Sequence, residues 1–154
     1  MRIGIVTHQL LNNYGGILQA YALQESLRKL GHEPITIDYL PESMSKTRYV
    51  LAQIKTLFYY LIFKRTRVFF RYPHKKRDPR ISNFILKHIK LTKRVQKYQA
   101  SILRKYQIET IIVGSDQVWR GAFYNPKVQA DLFLRFAKKY HVPKIAYANA
   151  KYSI

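Results

Sequence analysis

Short apolar runs in this sequence alternate with a longer stretch whose apolar positions recur at helical spacing. Four runs have the length and composition of buried parallel strands: residues 2–7, 34–38, 110–113 and 144–148. Between the first two, apolar residues recur every three or four positions from Ile17 to Leu30, and Gly31 follows as a natural helix-ending residue. Strands alternating with helices predict an α/β fold: a Rossmann-like, open, mostly parallel sheet with flanking helices.

The middle of the chain predicts helices of a different character. Residues 47–63 are largely apolar and leave three readings open: a membrane span, a helix lying on an anionic membrane surface, or a helix packed in or against the core. A span is disfavoured because Lys55, near the centre, would cost about 2.5–3.5 kcal/mol in a bilayer. Residues 69–80 predict a loop, and 82–90 and 95–106 predict basic helices, with Thr92 as a candidate cap. Residues 131–136 fit a strand or a helical turn.

The charge changes this picture, because it is concentrated in one region. The chain carries 28 Lys and Arg against 8 Asp and Glu, a net charge of +20. Residues 46–105 hold 18 of those bases and one acid, Asp78. Such a segment attracts polyanions: nucleic acid, an acidic glycan or an anionic membrane surface. No zinc finger, RNP motif or helix-turn-helix spacing is evident, so we expect no specific nucleic-acid binding.

The absence of cysteine excludes several kinds of chemistry. With no Cys in its 154 residues, the chain has no disulfide, thiolate zinc site, iron–sulfur cluster or cysteine nucleophile. No metal site is predicted. The first apolar run is too short for a signal-peptide core and lacks a small-residue cleavage site, so we expect a cytoplasmic location.

Ligands of open parallel sheets bind outside the carboxyl ends of the strands, which here are the loops at residues 8–16 and 114–120. In the first loop, Gly15 and Gly16 precede a helix, and we expect them to hold backbone conformations or ligand distances that a Cβ would forbid. Asn12 and Asn13 fit two roles equally, orienting a sugar hydroxyl or carboxylate, or capping the helix. His8 is a candidate proton shuttle, with a turn or packing role as the alternative.

The second loop concentrates polar groups after a buried strand. Asp116 is a candidate general base for an acceptor hydroxyl, and its alternative role is to cap the following turn. Trp119 fits a stacking face for a sugar ring or a core residue.

Two strings in these loops resemble a known family. Residues 12–24, Asn-Asn-Tyr-Gly-Gly-Ile-Leu-Gln-Ala-Tyr-Ala-Leu-Gln, and 112–119, Ile-Val-Gly-Ser-Asp-Gln-Val-Trp, are similar to the two signature stretches of polysaccharide pyruvyl transferases. The resemblance implies an enzyme that moves pyruvate from phosphoenolpyruvate onto sugar hydroxyls as a ketal, without a cofactor. It also implies two Rossmann-like lobes, as in a GT-B glycosyltransferase, of which this chain resembles the first.

The resemblance also implies where substrates bind. It carries over to the loop positions Asn12, Asn13, Gly15, Gly16, Gly114, Ser115, Asp116 and Gln117. Trp119 joins them as a candidate sugar contact. The mechanism we expect has Asp116 or His8 removing a proton from the acceptor hydroxyl while basic groups neutralise the donor phosphate.

The expected domain organisation is one N-terminal lobe over residues 1–154 with a basic helical insertion at about 46–105. The C-terminal lobe of the family is absent from this sequence, so we expect the chain alone to be inactive. Its expected partners are a sugar or polysaccharide acceptor, the missing lobe and an anionic membrane surface, which would place the protein at the inner face of the membrane. The competing hypothesis is a non-catalytic module that binds polyanions or membrane surfaces through the basic segment.

Overall fold

The computed structural model describes residues 1–40, 46–63, 77–114, 118 and 126–147. In chain order its elements are β1 (Arg2–Val6), α1 (Tyr14–Lys29), β2 (Glu33–Thr36), α2 (Lys46–Phe63), α3 (Pro79–His88), α4 (Ala100–Lys105), β3 (Thr110–Gly114), α5 (Pro126–Leu132), a 3₁₀ helix (Arg135–Ala137) and β4 (Lys144–Tyr147). The chain forms two compact units. Met1–Pro41 with Arg77–Ile154 is the first, and Glu42–Lys76 is the second.

The described strands of the first unit form one parallel sheet in the order β2-β1-β3-β4. Ile3 of β1 lies opposite Pro34 on one side and Thr110 on the other, and Ile111 of β3 lies opposite Lys144. The predicted α/β, Rossmann-like fold is therefore confirmed. Because β1 and β3 are neighbours and run in the same direction, the loops that follow them leave the sheet at the same edge.

Helices cover both faces of the sheet, as the alternation of side chains along each strand requires. On one face, Leu23 and Leu27 of α1 pack with the strand residues Ile3, Ile5 and Ile112. The opposite face carries the larger cluster, which includes these strand, α4 and C-terminal residues: Val6, Ile35, Ile111, Val113, Ile102, Leu103, Leu132, Leu134 and Ala137. Burial of these branched side chains on both faces explains why the strands are almost continuously apolar in sequence.

α1 is fastened to β2 and to the end of α3 by one buried side chain. The Gln24 amide donates to the Thr36 hydroxyl (2.7 Å) and to the Lys90 carbonyl (2.8 Å), and its oxygen accepts from the Lys90 N–H (3.0 Å). Gln24 closes the first string that resembles the family. Its place in that string is therefore explained by structure, since a buried amide must have its hydrogen bonds made.

The third helix begins earlier than predicted. Residues 69–80 were expected to form a loop, but α3 starts at Pro79 because Asp78 caps it, accepting from the Arg80 N–H at 2.8 Å. Aspartate followed by proline is a strong helix start, since proline loses no hydrogen bond at the first helical position. Ile81 and Ile85 of α3 pack against Ile17 and Ala20 of α1.

The fourth helix is shorter than the predicted 95–106, because it begins only at Ala100 and Val95 pairs with another segment. Leu91 and Val95 form isolated parallel bridges to Thr36 and Tyr39, and continue the sheet beyond β2. Thr92 is not a helix cap. Its hydroxyl instead accepts from the Asp38 N–H at 3.1 Å and donates to the Lys93 carbonyl.

For residues 131–136, the helical alternative is confirmed: α5 ends at Leu132, and the 3₁₀ helix begins at Arg135. Leu134, between them, has φ of 62°, a left-handed conformation that breaks the chain direction.

The second unit contains α2, which is 18 residues long. No helix among the described residues is long and apolar enough to span a bilayer. This unit coincides with the first part of the predicted basic insertion, whereas the described residues from Arg77 to Lys105 belong to the unit that contains the sheet.

Candidate functional site at the carboxyl edge of the sheet

The loops after β1 and β3 begin side by side. The buried Thr7 hydroxyl, directly after β1, donates to the carbonyl oxygen of Gly114, the last residue of β3, at 3.3 Å. This bond joins the two strand ends from which both candidate loops leave. The expectation that these loops share one edge of the sheet therefore agrees with the geometry of their first residues.

Asn13 caps α1, which starts three residues before the predicted Ile17. Its side-chain oxygen accepts from the Gly16 N–H at 3.2 Å, so the capping alternative describes its position in this structure. Gly15 and Gly16 lie in the first helical turn, where backbone N–H groups lack partners within the helix. A substrate contact by these residues stays a prediction.

The two glycines do not need their lack of a side chain for the fold. Neither has a positive φ, and a Cβ at Gly15 or Gly16 would meet Asn13 atoms at 3.5 or 3.4 Å, which is ordinary contact. The expectation that their backbone conformation forbids a Cβ is wrong. The expectation that remains is a close approach between the backbone and a ligand.

Asn12 links the loop to the start of α3. Its side-chain oxygen accepts from the Asp78 N–H at 3.1 Å, and Asp78 caps α3. The starts of α1 and α3 are therefore adjacent. Asn12 itself is exposed, so the role of orienting a sugar stays a prediction for it.

His8 lies half-buried at the start of the loop, with Nδ1 3.0 Å from the carbonyl oxygen of Gln9. Since a carbonyl only accepts, this bond requires the proton to be on Nδ1. His8 is thus oriented by its own backbone, and its role as a proton shuttle stays a prediction.

At the end of β3, Gly114 is needed for packing. A Cβ there would lie 2.5 Å from Leu23 Cδ2 of α1 and 3.5 Å from Ile5 Cγ2. The close approach of α1 to the sheet therefore favours glycine at this position, since any larger residue would force the Leu23 side chain to shift. Substrate contact by its backbone stays a prediction. The other candidates of this loop, Ser115, Asp116, Gln117 and Trp119, lie outside the described residues, and Val118 is fully buried.

Sequence reasoning missed an ion cluster after β2. The Asp38 carboxylate, only 7% exposed, contacts Arg77 Nη2 at 2.6 Å and Arg94 Nε at 3.1 Å. The Arg77 side chain is 10% exposed and that of Arg94 is 48% exposed. Two guanidinium groups on one carboxylate leave an excess positive charge, of which the Arg94 part faces water.

Arg77 also holds the first candidate loop. Its Nε donates to the carbonyl oxygen of Leu10, and the next residue, Asp78, donates to Asn12. The loop is thus connected to the end of β2 through Arg77 and Asp38. The available sequence signal was an acid at the end of a predicted strand, Asp38, in a chain with only 8 acids.

A groove lies beside the start of α1. It has a volume of about 270 Å³ and lies between α1 and α3, lined by Tyr14, Ile17, Leu18, Arg80, Ile81 and Phe84. The lining is almost entirely apolar, and Arg80 is the charged residue among it.

No group of three or more His, Cys, Asp or Glu among the described residues could hold a metal ion.

The fold and this edge define the class of protein: a Rossmann-like α/β chain with polar loop groups and basic side chains where such sheets bind ligands. A family model described as "Polysaccharide pyruvyl transferase" matches residues 13–150, and the chain belongs to that family. The match includes nearly all of both strings identified in the sequence. Family membership indicates a role in pyruvyl transfer with a polysaccharide acceptor.

Two other comparisons add no functional information. No curated protein matches the chain at a significant level. Among solved structures, a crystal structure of a universal stress protein family member from Burkholderia pseudomallei is similar at 9% identity with a TM-score of 0.37, covering 94% of each chain. A likeness this weak transfers no property to this chain.

Proposed function

We propose that this chain takes part in transferring a pyruvyl group from phosphoenolpyruvate to a sugar hydroxyl pair, as a ketal, in cell-surface polysaccharide synthesis. The family match over residues 13–150 carries the proposal. In ketal formation, two sugar oxygens bond to C2 of phosphoenolpyruvate and phosphate leaves. Of the two hydroxyl protons released, one goes to C3, which becomes a methyl group, and the other leaves with phosphate.

The proposed acid–base groups are Asp116 and His8, either of which removes a hydroxyl proton from the acceptor. The remaining loop positions contact the substrates: Asn12, Asn13, Gly15, Gly16, Gly114, Ser115 and Gln117, with Trp119 as a face for the sugar ring. Phosphoenolpyruvate serves as donor substrate and no cofactor is required.

Basic groups at the carboxyl edge support the donor side of this proposal. Phosphoenolpyruvate carries a phosphate and a carboxylate, so its site needs positive charge or backbone N–H donors. Arg94 is half exposed and only partly neutralised by Asp38, which it shares with Arg77. Gly15 adds a first-turn N–H group at the start of α1, whereas the Gly16 N–H is already bonded to the Asn13 cap.

The proposal assigns the chain to the first of two lobes of a GT-B-like enzyme. The support is that the described strands make one Rossmann-like sheet. Transfer between two substrates needs a cleft that holds both and excludes water. We therefore propose that a second lobe supplies the other wall, and that the enzyme works in the cytoplasm at the inner face of the membrane.

The test is phosphate release from phosphoenolpyruvate with and without candidate sugar acceptors, measured on the 154-residue chain and on any longer product of the same reading frame. We expect acceptor-dependent release from the longer product, lost in Asp116→Asn and kept in Glu25→Gln. Glu25 is a suitable control because it lies on α1 and pairs with Arg28 on that helix. Release independent of any sugar would contradict pyruvyl transfer. Turnover by the 154-residue chain alone would contradict the two-lobe proposal.

A second candidate function is polyanion binding without turnover. The observation that favours it is the charge of residues 46–105, with 18 bases and one acid. A polyanion binder would be retained on heparin with a steep dependence on salt and would leave phosphoenolpyruvate unchanged. Retention on heparin with acceptor-dependent phosphate release would leave pyruvyl transfer as the function.

A further inference from the structure

The described part of the second unit, α2, carries an exposed apolar surface. Five large side chains there are between 52% and 64% exposed: Val50, Leu51, Ile54, Leu57 and Phe58. Scattered exposed apolar residues are ordinary in proteins, but a group of five on one short helix needs an explanation. We call this group the α2 apolar face.

The five residues form one continuous stripe. At about 100° per residue, their positions span an arc of roughly 120° around the helix axis. Tyr49, Ala52 and Gln53, which are half-buried, fall outside this arc. Thr47, at the start of the helix, is the exposed polar residue described inside this arc, and Lys55 lies at its border, so from Val50 to Phe58 the arc is apolar.

The charge of the sequence segment that contains α2 identifies the occupant of the face. Residues 46–71 contain seven Lys and Arg and no Asp or Glu. A second copy of this chain is disfavoured, because each copy carries a net charge of +20 and would repel the other. An acidic glycan or nucleic acid would use the positive charge and leave the apolar face in water. An anionic lipid surface satisfies both, since acyl chains cover the apolar side and phosphate headgroups meet the bases.

We propose that α2 lies in the headgroup region of an anionic bilayer with its apolar face toward the acyl chains. The helix binds parallel to the surface and does not cross it, consistent with the finding that no described helix can span a bilayer. The proposal is independent of pyruvyl transfer, because attachment to lipid needs no catalytic residue.

Vesicle flotation tests the proposal with the whole chain. We expect binding to vesicles of equal parts phosphatidylcholine and phosphatidylglycerol, weak or no binding to phosphatidylcholine alone, and release in high salt. The variant Ile54→Ser with Leu57→Ser removes two residues of the α2 apolar face and should weaken binding about tenfold or more. Its matched control, Leu30→Ser with Leu86→Ser, changes two residues that are 70% and 76% exposed outside α2, and should bind as the unmodified chain does.

Two double variants of lysine test the contribution of charge. Lys46→Gln with Lys55→Gln should weaken binding to the anionic vesicles, whereas Lys138→Gln with Lys139→Gln, which removes the same charge elsewhere, should weaken it less. Circular dichroism and thermal unfolding check that each variant is folded.

Three results would overturn the proposal. They are no flotation with anionic vesicles at low salt, equal binding by the two serine variants, and equal binding to both vesicle compositions. Retention on heparin without vesicle binding would identify a glycan or nucleic acid as the partner instead. Phosphate release enters none of these measurements, so the proposal fails or stands separately from the proposed function.

Discussion

The two stretches that resemble the family both contain glycine at the carboxyl edge of the sheet, but the fold uses these glycines differently. At Gly114 a Cβ would lie 2.5 Å from Leu23 Cδ2, so Leu23 of α1 packs against β3 in this position because the side chain is absent. At Gly15 and Gly16 a Cβ would find ordinary contacts of 3.5 and 3.4 Å, and neither residue has a positive φ. Folding explains the first glycine and leaves the other two unexplained.

The two regions also differ in what holds them in place at the carboxyl edge of the sheet. The end of β3 is held by packing against a buried helix. The start of α1 is held by hydrogen bonds: Arg77 to Leu10 and Asp78 to Asn12 from another segment, and the local Asn13 cap. Packing thus accounts for the glycine at the end of β3, whereas nothing in the packing accounts for Gly15 and Gly16.

The largest effect should come from removing the Asp38 carboxylate, which holds Arg77. Asp38→Ala leaves Arg77, which is 10% exposed, without its partner, and we expect a loss of about 3 kcal/mol in the free energy of unfolding. Urea unfolding measures it. The control is Glu33→Ala, which breaks the exposed pair with Arg2 and should cost less than about 1 kcal/mol. Equal losses would show that the buried cluster does not hold the loop.

The second prediction tests the packing of Leu23 against Gly114 at the end of β3. Gly114→Ala should destabilise the chain by about 2 kcal/mol, because the new methyl group overlaps Leu23 in a close-packed layer. Combining it with Leu23→Ala should recover much of that cost, which a double-mutant cycle in urea detects as a coupling energy of about 1 kcal/mol or more. Purely additive losses in stability would show that the cost of Gly114→Ala does not come from its contact with Leu23.

The third prediction tests Gly15 and Gly16, where the expected change in stability has the opposite sign. Gly15→Ala with Gly16→Ala should leave the stability unchanged or raise it by up to about 1 kcal/mol, because alanine is the better helix former. Binding of phosphoenolpyruvate, measured by calorimetry, should fall in the same variant if ligand approaches this backbone. If the double variant is destabilised, Gly15 and Gly16 do not differ from Gly114 in their role in folding. If it binds phosphoenolpyruvate as before, these glycines are not part of the binding site.

The smallest effect concerns the packed region beyond β2. Burial raises the pKa of Tyr39 above its ordinary value of 10.0, and the Asp131 carboxylate raises it further. Because the folded chain holds this proton more tightly than the unfolded chain, the contribution to stability is complete below about pH 10 and declines as the pH rises further. Unfolding measured across this range should show a shallower alkaline decline in Tyr39→Phe than in Tyr14→Phe, which changes an exposed tyrosine. Identical declines would contradict a buried Tyr39 phenol.

Much of the first unit could be predicted from local pattern. The apolar runs became β1, β2, β3 and β4, and the helical spacing after residue 17 became most of α1. These elements were predictable because strand and helix periods are set by the residues inside each element. The start of α3 was also encoded locally, in Asp78-Pro79, although the adjacent basic run made the region resemble a loop.

The errors arose where distant residues compete with local pattern. A helix was predicted over residues 95–106, yet Val95 pairs with Tyr39 and the helix begins at Ala100, because backbone hydrogen bonds to an existing strand edge outweigh a weak helix preference. The Asp38 cluster could not be predicted for a similar reason, because its partner Arg77 is 39 residues away in the sequence.

The sequence alone determined the α/β class, the candidate loops and, through two unusual strings, the family. Only the tertiary structure decided what individual members of those strings do: that Gln24 satisfies buried hydrogen bonds, that Gly114 makes room for Leu23, and that Gly15 and Gly16 have room for side chains. A sequence motif shows which residue types occur and how far apart they are in the chain. The demand on each residue is set by the atoms that folding brings within a few ångströms of it, and those atoms come from other parts of the chain.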